Sequence, residues 1–313
     1  MSNEYPNISI VITTWNRKAM LQEVLSNIQG IDYPNYEVIL VDNHSVDGTV
    51  EMIRSEFSAV RIIVMPTSEY GPCEAMNIGF ANASGEYVVV LDDDSYIEKD
   101  ALTKMVGLFR DNPQVGIIAF HIFTAEGIDW TKNLPFRLTT FNGCAAGIRS
   151  LVLTQAGFYS SDFFTYINEN DLSIRALAAG FDIIYAKEIV AYHRWSPLNR
   201  NNKRLIFFKV RNGLWFVMKY FSGKNLLIGV LRIIIPFSYA SVREGAFFFY
   251  IKAVFSAFLS LPRIIKKRRV VSYDLQRRYL REDWLLFQPV YYLGLKKMRK
   301  LLAKVEQFFR RNK

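Results

Sequence analysis

Cysteine is scarce in this sequence. Cys73 and Cys144 are the two among 313 residues, too few for a disulfide framework, and a reducing compartment is the default. Neither has a histidine or carboxylate at a spacing that argues for a nucleophile, so both read as inert. The amino-terminal stretch MSNEYPNISIVITT carries no basic region ahead of its first apolar run, so no secretory signal is expected there. Internal repeats and low-complexity tracts are missing too. The apolar runs LLIGVLRIIIPFSYA (226–240) and GAFFFYIKAVFSAFLSLP (245–262) are interrupted by Arg232, Pro236 and Lys252, short of the ~20 apolar residues expected of a spanning helix. Acidic residues are sparse at one end. Residues 200–313 hold 26 Lys/Arg against 5 Asp/Glu, whereas residues 1–199 hold 13 against 24. Halves of opposite sign imply two jobs: chemistry in the acidic half, attachment to something anionic in the basic half.

What is present in the first half is an alternation. ISIVITT (8–14), EVILVD (37–42), VRIIVM (60–65), EYVVVLD (86–92) and VGIIAF (115–120) are short, apolar and rich in β-branched residues, so they read as buried strands. Helical spacing separates them: Met20, Leu21, Val24, Leu25 and Ile28 before Gly30, then 45–57, the region after Pro72, and 97–111. Strand–helix–strand repeats with fully apolar strands predict an α/β fold with a mostly parallel sheet flanked by helices. A polar cluster follows three of the strands: TTWNR (13–17), VDNHS (41–45) and DDDS (92–95). Ligands of such sheets bind beyond the carboxyl ends of the strands, so Asp42 and Asp92–Asp94 are expected to share one cleft.

Carboxylates gathered in a cleft repel one another and stay ionised only with cationic or hydrogen-bonding partners. Their hard oxygens suit Mg²⁺ or Mn²⁺, ions held by one or two carboxylates plus substrate phosphates. A metal–diphosphate site is the sharp reading, and a solvated acidic loop the bland one.

ISIVITTWNR, VILVDNHSVDGT and GPCEAMNIGFANASGEYVVVLDDDS, taken in order, resemble the nucleotide-sugar-binding half of family 2 glycosyltransferases, which have the GT-A fold. FFTYINENDLSIRALAAGFDIIYAKEIVAYHR (163–194) resembles their acceptor half, so the likeness covers roughly residues 7–195. The resemblance implies roles. Asp42 would hydrogen-bond the nucleobase, with Thr13, Asn16, Arg17 and Asn43 lining its pocket. Asp92 would lie near the ribose, with Asp93 and Asn77 also on the donor side. Asp94 would hold the metal, and His193 joins it in several relatives; a hydrogen-bonded structural histidine is the other reading. The expected cofactor is Mn²⁺ or Mg²⁺, which would also let an anionic donor enter an acidic cleft.

Two departures from the family pattern stand out. The A-R-N-x-G helix reads Ala75-Met76-Asn77-Ile78-Gly79, so its arginine is missing; a cation for the phosphates would come from elsewhere, and Arg17 and Arg149 are candidates. The E-D-x-D-L segment reads Asn168-Glu169-Asn170-Asp171-Leu172, which puts the catalytic carboxylate on Glu169. Inverting transfer needs a base for the acceptor hydroxyl, and Glu169 is assigned to it. Asn168 removes a negative neighbour and favours its ionised form. Asp171 and Arg175, one helical turn apart, read as a pair supporting the base, with Asp171 also a candidate on the acceptor side. Trp195 is a candidate for stacking on an acceptor sugar, or simply packing.

A boundary is expected near 197–204, dividing a catalytic region, 1–204, from a helical basic region, 205–313. In GLKKMRKLLAKVEQFFRR (294–311), Leu295, Met298, Leu302, Val305 and Phe309 share one helical face and most of the cations lie elsewhere. Such a helix lies on an anionic leaflet, each Lys or Arg contributing on the order of 1 kcal/mol. The alternatives are a soluble helical subdomain and nucleic-acid binding, and no nucleic-acid module is recognisable. The combined expectation is a metal-dependent inverting glycosyltransferase. It would use a UDP- or dTDP-sugar, with GDP also compatible with Asp42, and a glycan or lipid-linked acceptor, peripherally bound at the cytoplasmic face of the cell membrane. The rivals are a nucleotidyltransferase, which would normally show a glycine-rich loop where TTWNRKAM stands, and a non-catalytic membrane- or polyanion-binding protein on the same scaffold.

Overall fold

The computed structural model describes residues 4–194 and 201–282. The chain divides into two compact units between Pro197 and Leu198. Trp195 and the 294–311 segment lie outside the described residues.

The first unit is built on an eight-stranded sheet. In chain order its elements are β1 (Ile8–Thr14), α1 (Lys18–Ile28), β2 (Tyr36–Asp42), α2 (Thr49–Glu56), β3 (Val60–Val64), α3 (Gly71–Asn82), β4 (Tyr87–Asp92), β5 (Ser95–Ile97), α4 (Ala101–Asp111), β6 (Val115–Thr124), β7 (Ala145–Arg149), α5 (Ser150–Ala156), α6 (Asn168–Ala178) and β8 (Asp182–His193). The strand order is β3-β2-β1-β4-β7-β6-β8-β5. The first four strands in that order are mutually parallel. Beyond them β7 runs antiparallel to both β4 and β6, β8 is parallel to β6, and β5 closes the edge antiparallel to β8. The sheet is therefore mixed, with a parallel half carrying four of the five predicted strands and the fifth, at 115–120, lying in β6 beyond the reversed β7.

Both faces of the sheet are covered, as continuous apolar strands require. Ile10, Ile12, Val89 and Leu91 point to one face, where Leu21, Leu25, Leu102 and Met105 of α1 and α4 meet them. Val11, Val88 and Val90 point to the other, against Met76, Phe80, Val152 and Leu172. The one-residue alternation is the period of a strand. Gly79 of α3 lies so close to β1 that a β-carbon there would overlap Val11 Cγ1. That seats the helix on the strand whose end carries the polar TTWNR cluster.

The second unit is helical among its described residues: α7 (Asn202–Tyr220), α8 (Gly223–Arg243), α9 (Phe247–Leu259), α10 (Leu261–Lys266) and α11 (Tyr273–Glu282). α7 is its centre, burying Ile206, Val210, Leu214, Phe216 and Val217. α8 corrects one expectation. The helix runs through the residues flanking its apolar stretch to a length of 21, with a mean hydropathy of 1.6 over its best 18-residue window, enough by length and composition to cross a membrane. A core helix of a soluble protein passes the same test, and α8 packs Gly229, Ile233, Phe237 and Ala240 inside the unit.

Candidate active site

The ends of β1, β2 and β4 lie side by side. Thr14 pairs with Asp42 across β1 and β2, and Thr13 pairs with Asp92 across β1 and β4. Parallel strands in register thus bring all three polar clusters to one edge.

Asp42 is fully buried. Its Oδ2 accepts the Ser45 N–H at 2.8 Å, while Oδ1 is buried with no hydrogen-bond partner. A buried acceptor left unpaired is costly, about 1–3 kcal/mol, so such an atom calls for a donor from outside the chain. Asn43 sits beside it, its N–H donating to the Thr14 carbonyl at 2.8 Å. Asn16 holds the loop after β2: its N–H donates to Ser45 Oγ and its Oδ1 accepts the Val46 N–H, both at 2.8 Å. It does so with φ of 52°, a left-handed conformation that asparagine tolerates better than most residues.

The three aspartates after Leu91 have different surroundings. Arg17 Nη1 donates to Asp93 Oδ1 at 2.7 Å and to Asp94 Oδ2 at 2.9 Å. Thr14 Oγ1 donates to Asp93 Oδ2 at 2.8 Å. Both Asp93 oxygens are therefore engaged within the protein, and this residue anchors Arg17 and the end of β1. Burial pushes the Asp93 carboxyl above the usual carboxylate range; Arg17 pulls it back, and the neighbouring Asp94 charge adds to the rise.

β8 brings His193 to the same place, because Ser95 of β5 pairs with His193 and the Arg194 N–H donates to the Asp94 carbonyl at 2.8 Å. His193 Nε2 lies 3.1 Å from Asp94 Oδ1. One ligand atom from each of Asp92, Asp94 and His193 falls within 4.8 Å of the others. Both ring nitrogens of His193 are buried and make no hydrogen bond. Two carboxylate oxygens and an imidazole nitrogen gathered this closely fit a divalent metal ion. Trp130, in the connection between β6 and β7, leans on His193 with ring centroids 5.0 Å apart. No motif marks this tryptophan in the sequence.

Glu169 is the second residue of α6. Its carboxylate lies over Gly143, where a β-carbon would overlap Glu169 Oε1 and come within 3.2 Å of Cδ. The chain ahead of α6 is strained: Phe164, Tyr166 and Ile167 have φ of 64°, 61° and 67°. A β-branched residue in the left-handed region is a genuine outlier, and such strain is held only where surrounding packing enforces it. Cys73 and Tyr159 are buried near Glu169; burial first, then the Glu169 charge, push both the thiol and the phenol well above their ordinary values. Asp171 is fully buried. Arg175 binds its carboxylate with Nη2 at 2.8 Å and Nε at 3.0 Å, and also donates to the carbonyls of Ala156 and Phe158. That is the geometry of a pair supporting α6. Asn77 uses its amide to tie α3 to the same region, donating to the Tyr159 carbonyl at 2.9 Å.

Arg149 is a correction. β7 runs antiparallel to β4, which pairs Arg149 with Tyr87 at the opposite end of the strand from Asp92. Its guanidinium stacks on Phe109 and donates to the carbonyls of Val115 and Phe109. Of the two cations offered by the sequence for the phosphates, Arg17 is the one at the site.

This chain is similar to known proteins. The family described as "Glycosyl transferase family 2" matches residues 9–171. A poly-beta-1,6-N-acetyl-D-glucosamine synthase of Staphylococcus epidermidis is 33% identical over 181 residues, 50% of this chain and 43% of that protein. A GalNAc(5)-diNAcBac-PP-undecaprenol beta-1,3-glucosyltransferase of Campylobacter jejuni is 30% identical over 104 residues, 32% of this chain and 34% of that one. The chain thus spans less than half the length of these curated relatives. Among solved structures, residues 1–349 of S. aureus TarS in complex with UDP-GlcNAc superpose with a TM-score of 0.61 at 15% identity, covering 94% of this chain and 92% of that one. The mannosyltransferase PcManGT of Pyrobaculum calidifontis, in complex with GDP-Man and Mn²⁺, gives 0.57 at 17% identity, covering 97% and 87%. At such identities the superpositions speak to the fold alone. The family match over residues 9–171, more than half of the chain, places this protein in glycosyl transferase family 2.

Proposed function

We propose that this protein is a metal-dependent inverting glycosyltransferase, which moves a sugar from a nucleoside diphosphate to a hydroxyl of a glycan or lipid-linked acceptor at the inner face of the cell membrane. The observation that carries the reading is the gathering of Asp92, Asp94 and His193 at the strand edge that also holds Asp42. The names of the relatives agree with a polysaccharide or lipid-linked acceptor.

The orphaned Oδ1 of Asp42 accepts the imide N–H of uracil or thymine, which favours UDP or dTDP over donors read by other groups. Asp92, Asp94 and His193 would hold the divalent ion, whose charge offsets that developing on the leaving diphosphate. Arg17 bridges Asp93 and Asp94 and so holds those two carboxylates together against their mutual repulsion. Glu169 takes the proton of the acceptor hydroxyl as its oxygen bonds to the anomeric carbon. The bond from that carbon to the phosphate oxygen breaks, and its electron pair leaves with the nucleoside diphosphate. Attack opposite the leaving group inverts the anomeric centre.

The test has two arms. A thermal-shift screen of UDP-, dTDP- and GDP-sugars with Mn²⁺ identifies the donor, because a ligand at a hundredfold excess over Kd adds about 2.7 kcal/mol to the folded state. Glu169→Gln should then lower transfer by roughly 10²- to 10⁴-fold with donor binding retained. A near-normal rate in that variant overturns the assignment of the base.

A further inference from the structure

α9 has its polarity inverted. At 3.6 residues per turn, Tyr250, Ala253 and Ala257 fall on one side, and they are its buried residues. Phe247, Phe248, Ile251, Phe255, Phe258 and Leu259 are exposed, Phe248 by 73%, Phe255 by 64% and Leu259 by 67%. These six occupy an arc of about 120° that faces away from the buried side. A helix on a water-facing surface places its apolar residues inward and its charges outward. α9 buries two alanines and a tyrosine, presents four phenylalanines outward, and carries Lys252 as its sole charge. Contiguous exposed apolar surface of this kind marks a docking face.

The charge around this face identifies what covers it. Directly after α9 the chain reads RIIKKRR (263–269), and Arg263, Lys266, Lys267, Arg268 and Arg269 are all exposed. Across the described residues 201–282 there are 17 Lys/Arg and 3 Asp/Glu. A second copy would bring the same cations against themselves. Residues 283–313 are also basic, with 8 Lys/Arg against 2 Asp/Glu, and meet the same repulsion. An anionic bilayer satisfies both features at once, accepting the aromatic side chains among its acyl chains and the cations at its headgroups. Thirteen residues make a helix about 20 Å long, short of the ~30 Å hydrocarbon core, so the helix lies in the interface plane. We infer that the exposed face of α9, with the cations at 263 and 266–269 beside it, is a docking surface for an anionic lipid bilayer.

Vesicle binding needs neither donor nor catalysis, so the test stands apart from the proposed reaction. In the full-length chain, Phe255→Cys is labelled with an environment-sensitive fluorophore; Cys73 and Cys144 are buried and spared. Emission should shift to the blue with vesicles of phosphatidylcholine containing 30% phosphatidylglycerol, and stay unchanged with phosphatidylcholine alone. Changing Phe248, Phe255 and Leu259 together to Ser should lower partitioning at least tenfold. Because that variant removes only exposed side chains, an unchanged circular-dichroism melt checks its fold. Lys266→Glu with Arg269→Glu gives a second, independent loss of at least tenfold. The inference is overturned if the chain sediments with anionic vesicles while the label stays silent, if neutral vesicles bind equally, or if no vesicle binds. It is equally overturned if the label is already blue-shifted in the free chain and vesicles leave it unmoved, the signature of a second copy or of residues 283–313 on this face.

Discussion

Gly143 makes room for Glu169. A β-carbon at Gly143 would overlap Glu169 Oε1 and lie 3.2 Å and 3.3 Å from Cδ and Cγ. The carboxylate assigned as base therefore rests on bare backbone, and its position depends on the absence of a side chain there. Gly143→Ala must displace it. A misplacement of about 1 Å at a reacting group costs on the order of 10²-fold in rate. The expected outcome is a 10- to 100-fold fall in kcat with the donor Kd changed less than about twofold, read by steady-state kinetics and calorimetry. A wild-type kcat would show that the side chain finds its working position without this contact.

Asp94 and His193 should bind metal without any substrate. Mn²⁺ should raise the melting temperature of the wild-type chain, and His193→Ala or Asp94→Asn should abolish that rise. A metal that prefers the folded state stabilises it in proportion to the logarithm of its concentration over Kd. A chelator should return the wild type to the baseline of the variants. A full Mn²⁺ shift retained in His193→Ala would remove the imidazole from the ligand set.

The parallel half of the sheet was legible because its strands are apolar, β-branched and closed by polar clusters. Register then does the rest, since Thr13, Thr14, Asp42 and Asp92 must converge once three strands run side by side. β7 was not legible. Its sequence AAGIR has small residues because α4 presses on it, and a β-carbon at Gly147 would overlap Met105 Sδ. Missing that reversed strand is what misplaced Arg149, since a reversed strand ends at the other side of the sheet. β5 is three residues long and leaves no periodic signal. Trp130 and Gly143 reach the site from connections between strands, where no spacing rule applies, so only the folded chain reveals them.

Asp171 and Arg175 should matter for stability more than for chemistry. Asp171 is 0% exposed, and Arg175 also ties α6 to the carbonyls of Ala156 and Phe158. Removing one partner leaves a buried charge uncompensated, which typically costs about 3–5 kcal/mol. Arg175→Met should therefore lower the urea midpoint strongly, while Asp171→Asn with Arg175→Met together should lose less than the sum of the two single changes. Additive losses would show that the two groups do not act as a pair.

His121 should set the acid limit of the first unit. Its ring is buried, with Nδ1 facing the hydroxyls of Tyr185 and Thr131 and Nε2 lying 3.5 Å from Asp129 Oδ2. Burial lowers its affinity for a proton; Asp129 opposes this, and Lys187 adds to it. A histidine depressed in the folded state contributes stability that is present above its unfolded value of about 6.5 and is lost as pH falls through the lower folded value, because the unfolded chain binds the proton first. Stability measured by urea unfolding should thus decline from pH 7.5 to pH 5. His121→Gln, which keeps polar contacts and cannot titrate, should start lower at pH 7.5 and decline less. The same slope in both proteins would move the acid sensitivity to another group.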